Sequence, residues 1–134
     1  MIDIGKIERI EHICKEEQRL ERERRTITCD AAYSLENLKV VYAITRAKAA
    51  ERRFDRGKTR ECFLFVAMYI FDPVSIVKKM RRGLRSDLAV MLGVRENNVS
   101  KITKHILFHY RLYKDFRSDV DDIHDEVMTT LRMI

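Results

Sequence analysis

The stretch DLAVMLGVRENNVSKITKHI, from Asp87 to Ile106, decides the fold, because its apolar residues fit two short helices that are interrupted at Gly93. In a single helix this glycine would be a defect. In a two-helix arrangement, Ser86 or Asp87 caps a first helix that ends at Leu92. Gly93 then supplies the positive φ that a tight turn needs. We therefore predict a turn at this glycine.

The second helix of this stretch is predicted to start near Glu96 or Asn97 and to continue past His105. When Arg85 is counted as the first position of a helix-turn-helix, the residue type at each constrained position is the expected one. These positions are the helix crossing, the turn and the core contacts: Ala89, Gly93, Val94, Leu88, Leu92, Val99 and Ile102. The pattern predicts a helix-turn-helix at residues 86–106, and the alternative is a helical corner with no role in DNA binding.

The polar residues of the stretch suit a helix that enters the major groove of double-stranded DNA. Asparagine can bond both N6 and N7 of adenine, and lysine can reach the acceptors of guanine. The residues predicted to contact bases are Asn97, Asn98, Ser100, Lys101 and Lys104, with His105 as a further candidate. The residues predicted to contact phosphates are Arg81, Arg82, Arg85, Ser86 and Arg95.

The composition indicates an all-α fold, a multi-helix domain that contains the helix-turn-helix. The chain has 134 residues, of which 46% are hydrophobic and 36% charged, and these values are typical of a globular protein. One proline and four glycines leave few places for turns. The abundance of Leu, Ala, Glu, Lys and Arg favours helices.

The charge of the chain favours an anionic partner, because the formal net charge is +6. Residues 72–117 carry eleven Lys or Arg against four Asp or Glu, whereas residues 118–134 carry one against five. The acidic end is either a solvated helix or a competitor for the basic block. Residues 46–60 are also basic, and they form either a solvated helix end or an edge that binds phosphates.

Other classes of protein fit the sequence poorly. No apolar run approaches the ~20 residues of a membrane span, and charges interrupt the N-terminus, so we expect a cytoplasmic protein without a membrane partner. Three widely spaced cysteines fit a reducing compartment. His105 and His109 have a spacing that metals use, but no third ligand is near them in sequence. We predict no enzyme activity, no metal, no cofactor and no small-molecule ligand.

Two parts of the chain are expected to differ in role. Residues 1–29 form an amphipathic helix with isoleucines at helical spacing, which either packs on its own domain or pairs with a second copy in a homodimer. Residues 30–134 form the helical DNA-binding domain. In it, Ser34 caps a helix and the residues from about Thr59 to Phe71 form the most buried helix, because they are apolar almost all round.

Two further helices are predicted on either side of the helix-turn-helix. Asp72 and Pro73 begin a short helix that ends at Gly83. After the second helix of the motif, the chain continues as helix, with aromatic and apolar residues that we assign to the core: Leu107, Tyr110, Leu112, Tyr113 and Phe116. Ser118 caps the last helix, whose apolar stripe is a candidate dimer face: Val120, Ile123, Val127 and Leu131.

The segments FVAMYIF, Phe65–Phe71, and DLAVMLGVRENNV, Asp87–Val99, together resemble the DNA-binding domain of the bacterial replication initiator DnaA, within the Trp-repressor-like group. Arg95 and Glu96 stand where that family has Arg-Asp at the start of its recognition helix. Asn97 and Asn98 replace its His-Thr, and the connection before the motif is longer. The resemblance covers about residues 60–106 and implies a helix-turn-helix fold and DNA binding. The chain contains no phosphate loop of an ATPase module.

The sequence therefore predicts a protein that binds double-stranded DNA in the major groove, as a regulator of transcription or of the replication of a mobile element. The alternative is a helical adaptor whose basic face binds an acidic protein.

Overall fold

The computed structural model describes residues 1–26, 29–78, 80 and 82–133, and the side chains of Arg25 and Arg82 lie outside this description. These residues confirm the predicted all-α fold. The helices are α1 (Ile4–Arg25), α2 (Leu35–Arg52), α3 (Arg56–Phe71), α4 (Arg82–Leu92), α5 (Glu96–Thr103), α6 (Ile106–Leu112) and α7 (Lys114–Met133), and a 3₁₀ turn (Pro73–Ile76) follows α3.

Helix α3 lies at the centre of the molecule, as its apolar sequence predicts. Every residue from Cys62 to Met68 is buried, and so are Ile70 and Phe71. The surrounding elements are α2, the 3₁₀ turn, α5, α6 and α7, all of which contact α3. A helix that is apolar on all sides is stable in water only when it is covered on all sides, so α3 determines where the other helices pack.

The ends of α2 and α3 follow from side-chain caps. Ser34 Oγ accepts a hydrogen bond from the Asn37 backbone N–H at 3.1 Å, as predicted for the start of α2. Asp55 Oδ1 accepts one from the Lys58 backbone N–H at 2.7 Å. Helix α3 therefore begins at Arg56, three residues earlier than its apolar pattern indicates.

The prediction of a helix from Asp72 to Gly83 is wrong. Pro73–Ile76 instead form a 3₁₀ turn, which Ser75 closes by donating its backbone N–H and its hydroxyl to the Asp72 carbonyl. Proline suits the start of either kind of helix, so the sequence could not distinguish them. Gly83 lies inside α4, which begins at Arg82, and it does not have a positive φ.

The helix ends beyond the motif differ from the prediction, in which the second motif helix continues past His105 and the last helix starts at Ser118. Helix α5 ends at Thr103, before His105, because the chain turns there to bury Ile106 in the core. Tyr113 is extended, and α7 begins after it, so Ser118 lies within α7 and does not cap it. Phe116 is buried as predicted, Leu107 and Tyr110 pack partly against the core, and Leu112 and Tyr113 are exposed, contrary to their assignment to the core.

The apolar stripe of α7 is not a dimer face. Val120, Ile123 and Val127 are buried, and Leu131 packs partly against the same core. Helix α7 contacts both α2 and α3 along this stripe. It therefore helps to cover α3, whereas the sequence interpretation left the stripe exposed for contact with a second copy.

Helix α1 has the opposite environment. Ile4, Ile7, Ile10 and Ile13 are between 40% and 67% exposed, and Leu20 is 48% exposed. Among the described helices none packs extensively against α1. Its polar face has ion pairs between neighbouring turns, such as Arg19 with Glu16 and Glu23. Of the two sequence alternatives, extensive packing on its own domain is therefore not observed.

An ion-pair cluster joins the ends of α2, α3 and α7. Asp119, whose side chain is 12% exposed, contacts Arg52 through one oxygen and Lys58 Nζ through the other at 2.6 Å. Arg52 also binds Asp122 at 2.7 Å. Burial alone raises the pKa of Asp119, but hydrogen bonds and charge from Lys58 and Arg52 outweigh burial and lower it.

We expect Asp119→Asn to lower the free energy of unfolding at neutral pH by roughly 1–3 kcal/mol, because it removes charged hydrogen bonds and leaves two cations without their shared partner. A depressed carboxyl pKa stabilises the folded protein above the unfolded pKa of about 3.9. This contribution is lost as the pH falls through the lower folded pKa. Denaturant unfolding from pH 7 to pH 2 measures both effects.

The matched control is Asp122→Asn, since Asp122 is 46% exposed and binds Arg52 alone. Asp122→Asn should lower the free energy of unfolding by less than Asp119→Asn does. The decrease in stability at acid pH should remain nearly the same as in the parent protein. Equal costs for the two variants contradict a buried cluster centred on Asp119.

Candidate nucleic-acid interface

The turn between α4 and α5 is a Schellman ending of α4. Gly93 has φ +67°, its N–H donates to the Val90 carbonyl at 3.2 Å, and the Val94 N–H donates to the Ala89 carbonyl at 3.0 Å. This pair of bonds satisfies carbonyls that a helix end leaves without partners. The predicted glycine turn is confirmed at this position.

The predicted contacts between the two helices are also observed. Leu88, Ala89 and Val99 are at most 3% exposed. The other apolar positions of the pattern pack partly against the same core: Leu92, Val94 and Ile102. Since Val99 reaches the core beneath α3, α5 is held with one face inward and the opposite face outward.

The outward face of α5 carries every residue predicted to contact bases. Asn97, Asn98, Ser100, Lys101 and Lys104 are all exposed, and His105 is exposed beside them. Lys104 lies just after the last residue of the helix, not within it. Within the described part of the chain, neither asparagine side chain has a hydrogen bond, so both amides remain available to a ligand.

Helix α5 begins without a side-chain cap. Arg95 occupies the N-cap position in an extended conformation, and its carbonyl accepts hydrogen bonds from the Asn98 and Val99 N–H groups at 3.0 and 3.3 Å. Asn97 is therefore not the cap and lies in the first turn. The first N–H groups of α5 lack a side-chain acceptor, which is a favourable position for an anionic group.

The residues predicted to contact phosphates have different environments. Arg95 is exposed at the start of α5. The Arg85 side chain is only 20% exposed, and its Nε lies 3.7 Å from Glu96 Oε2, beyond hydrogen-bond distance. Ser86 is half-buried. Arg81 and the side chain of Arg82 lie outside the described residues.

Arg85 Nε is a buried polar atom with no hydrogen-bond partner among the described residues. A buried donor without an acceptor costs free energy, so its environment favours an acceptor that is brought by a ligand or by a small movement of Glu96. Arg85 thus connects α4 to the first turn of α5 rather than extending freely into solvent.

One functional candidate was missed from the sequence. A groove of about 300 Å³ lies between residues 75–78 and the chain from Ser100 to Lys104, and polar residues that line it include Lys78, Ser100, Thr103 and Lys104. Lys78 is exposed and adds a further basic group beside the outward face of α5. No local pattern links residue 78 to residue 104, because the 3₁₀ turn and not the sequence spacing brings them together.

Asp87 has a role other than the predicted cap. Its Oδ2 accepts a hydrogen bond from the Tyr33 hydroxyl, which ties the segment before α2 to the middle of α4. Burial, together with this bond to a carboxylate, raises the pKa of Tyr33.

Three of the seven basic residues in the segment at residues 46–60 pair with α7. Arg52 and Lys58 bind Asp119, and Lys48 lies 3.4 Å from Glu126. Acidic residues of the last helix thus partly neutralise this segment, and the acidic end is not merely a solvated helix. The segment offers fewer free cations for phosphate binding than its sequence indicates.

Metal binding finds no geometric support in the described residues, where no group of three His, Cys, Asp or Glu side chains is placed to hold an ion. His109 Nδ1 instead lies 3.1 Å from Glu61 Oε1, and His105 is outside α5 and α6. Nor does any helix of the described ranges have the length and apolar character needed to cross a membrane.

Comparisons with known proteins add no relative: no family model, no curated protein and no solved structure matches the chain significantly.

Two glycines of α4 allow a matched test of the turn. Gly93→Ala should lower the free energy of unfolding by about 1 kcal/mol, because its φ of +67° strains any residue with a Cβ. Gly83→Ala should leave stability unchanged or raise it by up to about 0.5 kcal/mol, because a Cβ there meets nothing within 4 Å and alanine favours a helix. Denaturant unfolding of both variants measures the difference. If both substitutions change the free energy of unfolding in the same direction, the turn geometry is contradicted.

Proposed function

We propose that the protein binds double-stranded DNA by placing the outward face of α5 in the major groove. The observation that carries the proposal is that Asn97, Asn98 and Lys101 are exposed on one helix face while Val99, between them, is fixed in the core. This arrangement presents base-reading side chains on a rigid support. The resemblance to the DnaA DNA-binding domain supports the same use of the segment.

Phosphate contacts in this proposal come from groups beside α5. Arg95 stands at its first turn, and Lys78 and Lys104 lie around the groove next to it. Basic groups on both sides of a recognition helix can reach the two strands that border the groove. Arg81, Arg82, Arg85 and Ser86 complete the proposed set.

The biological role proposed is regulation of transcription or of the replication of a mobile element, in the cytoplasm and without enzyme activity. The chain pairs a compact DNA-binding unit with a separate exposed helix, an architecture suited to recognition and assembly.

The second candidate is a helical adaptor that binds an acidic protein. The exposed apolar residues of α6 favour it, since Phe108, Leu112 and Tyr113 are between 53% and 59% exposed. Such side chains are typical of protein interfaces. An adaptor requires no steep dependence of duplex binding on salt.

The test is selection from random DNA duplexes at two salt concentrations, followed by titration of variants on the selected site. Asn97→Ala and Asn98→Ala should each reduce discrimination at one base pair by roughly 1–3 kcal/mol and leave the salt dependence unchanged. Lys78→Ala should weaken binding to all duplexes and reduce the slope against log salt by about one unit.

Lys39→Ala is the matched control for lost charge, because Lys39 is exposed on α2 and, among the described residues, its ion pair is with neighbouring Glu36. It should change neither specificity nor the salt slope. If both asparagine variants keep the full sequence preference of the parent, the two asparagines do not read bases. If binding to every duplex is weak and insensitive to salt, the adaptor function is favoured instead.

We further propose that α1 joins two copies of the chain. A short recognition helix reads few base pairs, and a dimer lets two copies meet two half-sites. The exposed isoleucine row of α1 is the surface available for this contact. Replacing Ile7 and Ile10 with Asp should convert a dimer to a monomer in sedimentation equilibrium, without loss of helix content. A parent protein that sediments as a monomer at micromolar concentration contradicts the proposal.

A further inference from the structure

A second cavity lies on the core side of the α4–α5 unit, between α3, the 3₁₀ turn, α6 and α7. Its volume is about 300 Å³, at the lower end of the range that small-molecule sites span. Apolar and aromatic side chains form most of its wall: Phe65, Val66, Tyr69, Ile76, Leu107, Tyr110 and Val120. Asp121 and His124 complete it. The sequence predicted no small-molecule ligand, because these residues come from four separate elements.

The polar groups of the cavity wall contact two carboxylates, of which Asp121 lines the cavity. The Tyr110 hydroxyl donates a hydrogen bond to Asp121 Oδ1 at 2.8 Å. His124 directs Nε2 toward Asp30 Oδ2, at 2.9 Å. Asp121 is exposed and forms no ion pair with another described residue. The cavity wall therefore carries one unpaired negative charge.

The aromatic rings give the cavity a defined shape. Phe65 and Tyr110 are stacked, with ring centroids 4.7 Å apart and planes 13° from parallel. Tyr69 is 45% exposed and meets the His124 ring edge-on at 5.2 Å. Burial and the hydrogen bond to Asp121 raise the pKa of Tyr110, so this hydroxyl stays a neutral donor at neutral pH.

An apolar, aromatic wall with a single carboxylate is the lining that recognises an organic cation. An anionic molecule would be repelled by Asp121, and a purely polar one would leave the rings without partners. The charge of Arg117 acts to lower the pKa of Tyr110, against the larger effects that raise it, but Arg117 does not line the cavity.

We propose that this cavity binds a small hydrophobic amine, with its ammonium group at Asp121 and its hydrocarbon part between α3 and α6. The charge and the wall select the ligand together: the carboxylate fixes the cationic end, and the rings exclude water from the rest.

The position of the cavity connects it to the candidate interface. Ile76 belongs to the turn that precedes α4, and Leu107 and Tyr110 belong to the helix that follows α5. A molecule between them contacts both flanks of the α4–α5 unit. An amine in this cavity should therefore bias the placement of α5. Its effect on DNA affinity rests on the proposed function, whereas amine binding itself does not.

The binding test uses three probes that share a phenyl ring and differ in charge: 2-phenylethylamine, 2-phenylethanol and phenylacetate. Each is titrated into the full chain without DNA, and methyl NMR spectra report the Ile76 resonance. We expect saturable shifts at millimolar concentration with the amine, weaker binding of the alcohol and none of phenylacetate. No saturable shift with the amine, equal affinity for amine and alcohol, or tighter binding of phenylacetate each overturns the proposal.

The variant test compares Asp121→Asn with Asp115→Asn. Asp115 is an exposed carboxylate on the same helix outside this cavity. Asp121→Asn should weaken the amine by about fivefold and leave the alcohol unchanged, as expected for one partly exposed ion pair. Asp115→Asn should change neither. An amine affinity that is the same in both variants places the amine away from Asp121 and overturns the proposal.

A last measurement separates the two proposals. The amine is added to the complex of the chain with its selected duplex, and the affinity for DNA is measured again. If the amine binds but selection yields no preferred duplex, the ligand site is supported and the DNA-binding proposal is contradicted. If the chain binds a selected duplex but not the amine, DNA binding is supported and the ligand site is contradicted.

Discussion

The constraint on which the rest of the structure depends is the burial of α3. Its residues from Cys62 to Phe71 are apolar on every side, and only Tyr69 is substantially exposed. Such a helix requires cover all round, which α2, α6, α7, α5 and the 3₁₀ turn supply. The thiol of Cys62 shows the depth of this burial, since loss of solvation raises its pKa to about 12.

The α4–α5 unit follows from the same constraint. Val99 and Leu88 are drawn into the core, and Gly93 permits the sharp turn that lets both helices reach it. The polar residues of α5 are thereby directed away from α3. Exposed polar side chains and buried apolar side chains thus occupy opposite faces of one short helix, and the packing of Val99 in the core holds that helix in place.

Charge is distributed by packing as well as by sequence. Acidic side chains of α7 bind Arg52, Lys58 and Lys48, so three of the seven basic residues at 46–60 are paired within the fold. The cations beside α5 have no comparable set of partners in the described residues, apart from the contact between Arg85 and Glu96. Pairing with α7 thus reduces the net positive charge at residues 46–60, whereas no such pairing reduces it beside α5 among the described residues. Asp121 differs from Asp119 and Asp122 on the same helix, because it lines a cavity and pairs with no cation among the described residues.

The sequence by itself determined the features that depend on residues close together in the chain. These are the all-α class, the cap at Ser34, the burial of α3, the Gly93 turn and the outward face of α5, since helix periodicity and turn chemistry act over a few residues. Only the tertiary structure decided which apolar stripe is covered: α7 is buried and α1 is not. It also decided the helix ends near Gly83, His105 and Ser118, where burial of Ile106 and Phe116 overrides local preference. The Asp119 cluster, the position of Lys78 beside α5 and the cavity at Asp121 join residues far apart in sequence, and no local pattern encodes such distances.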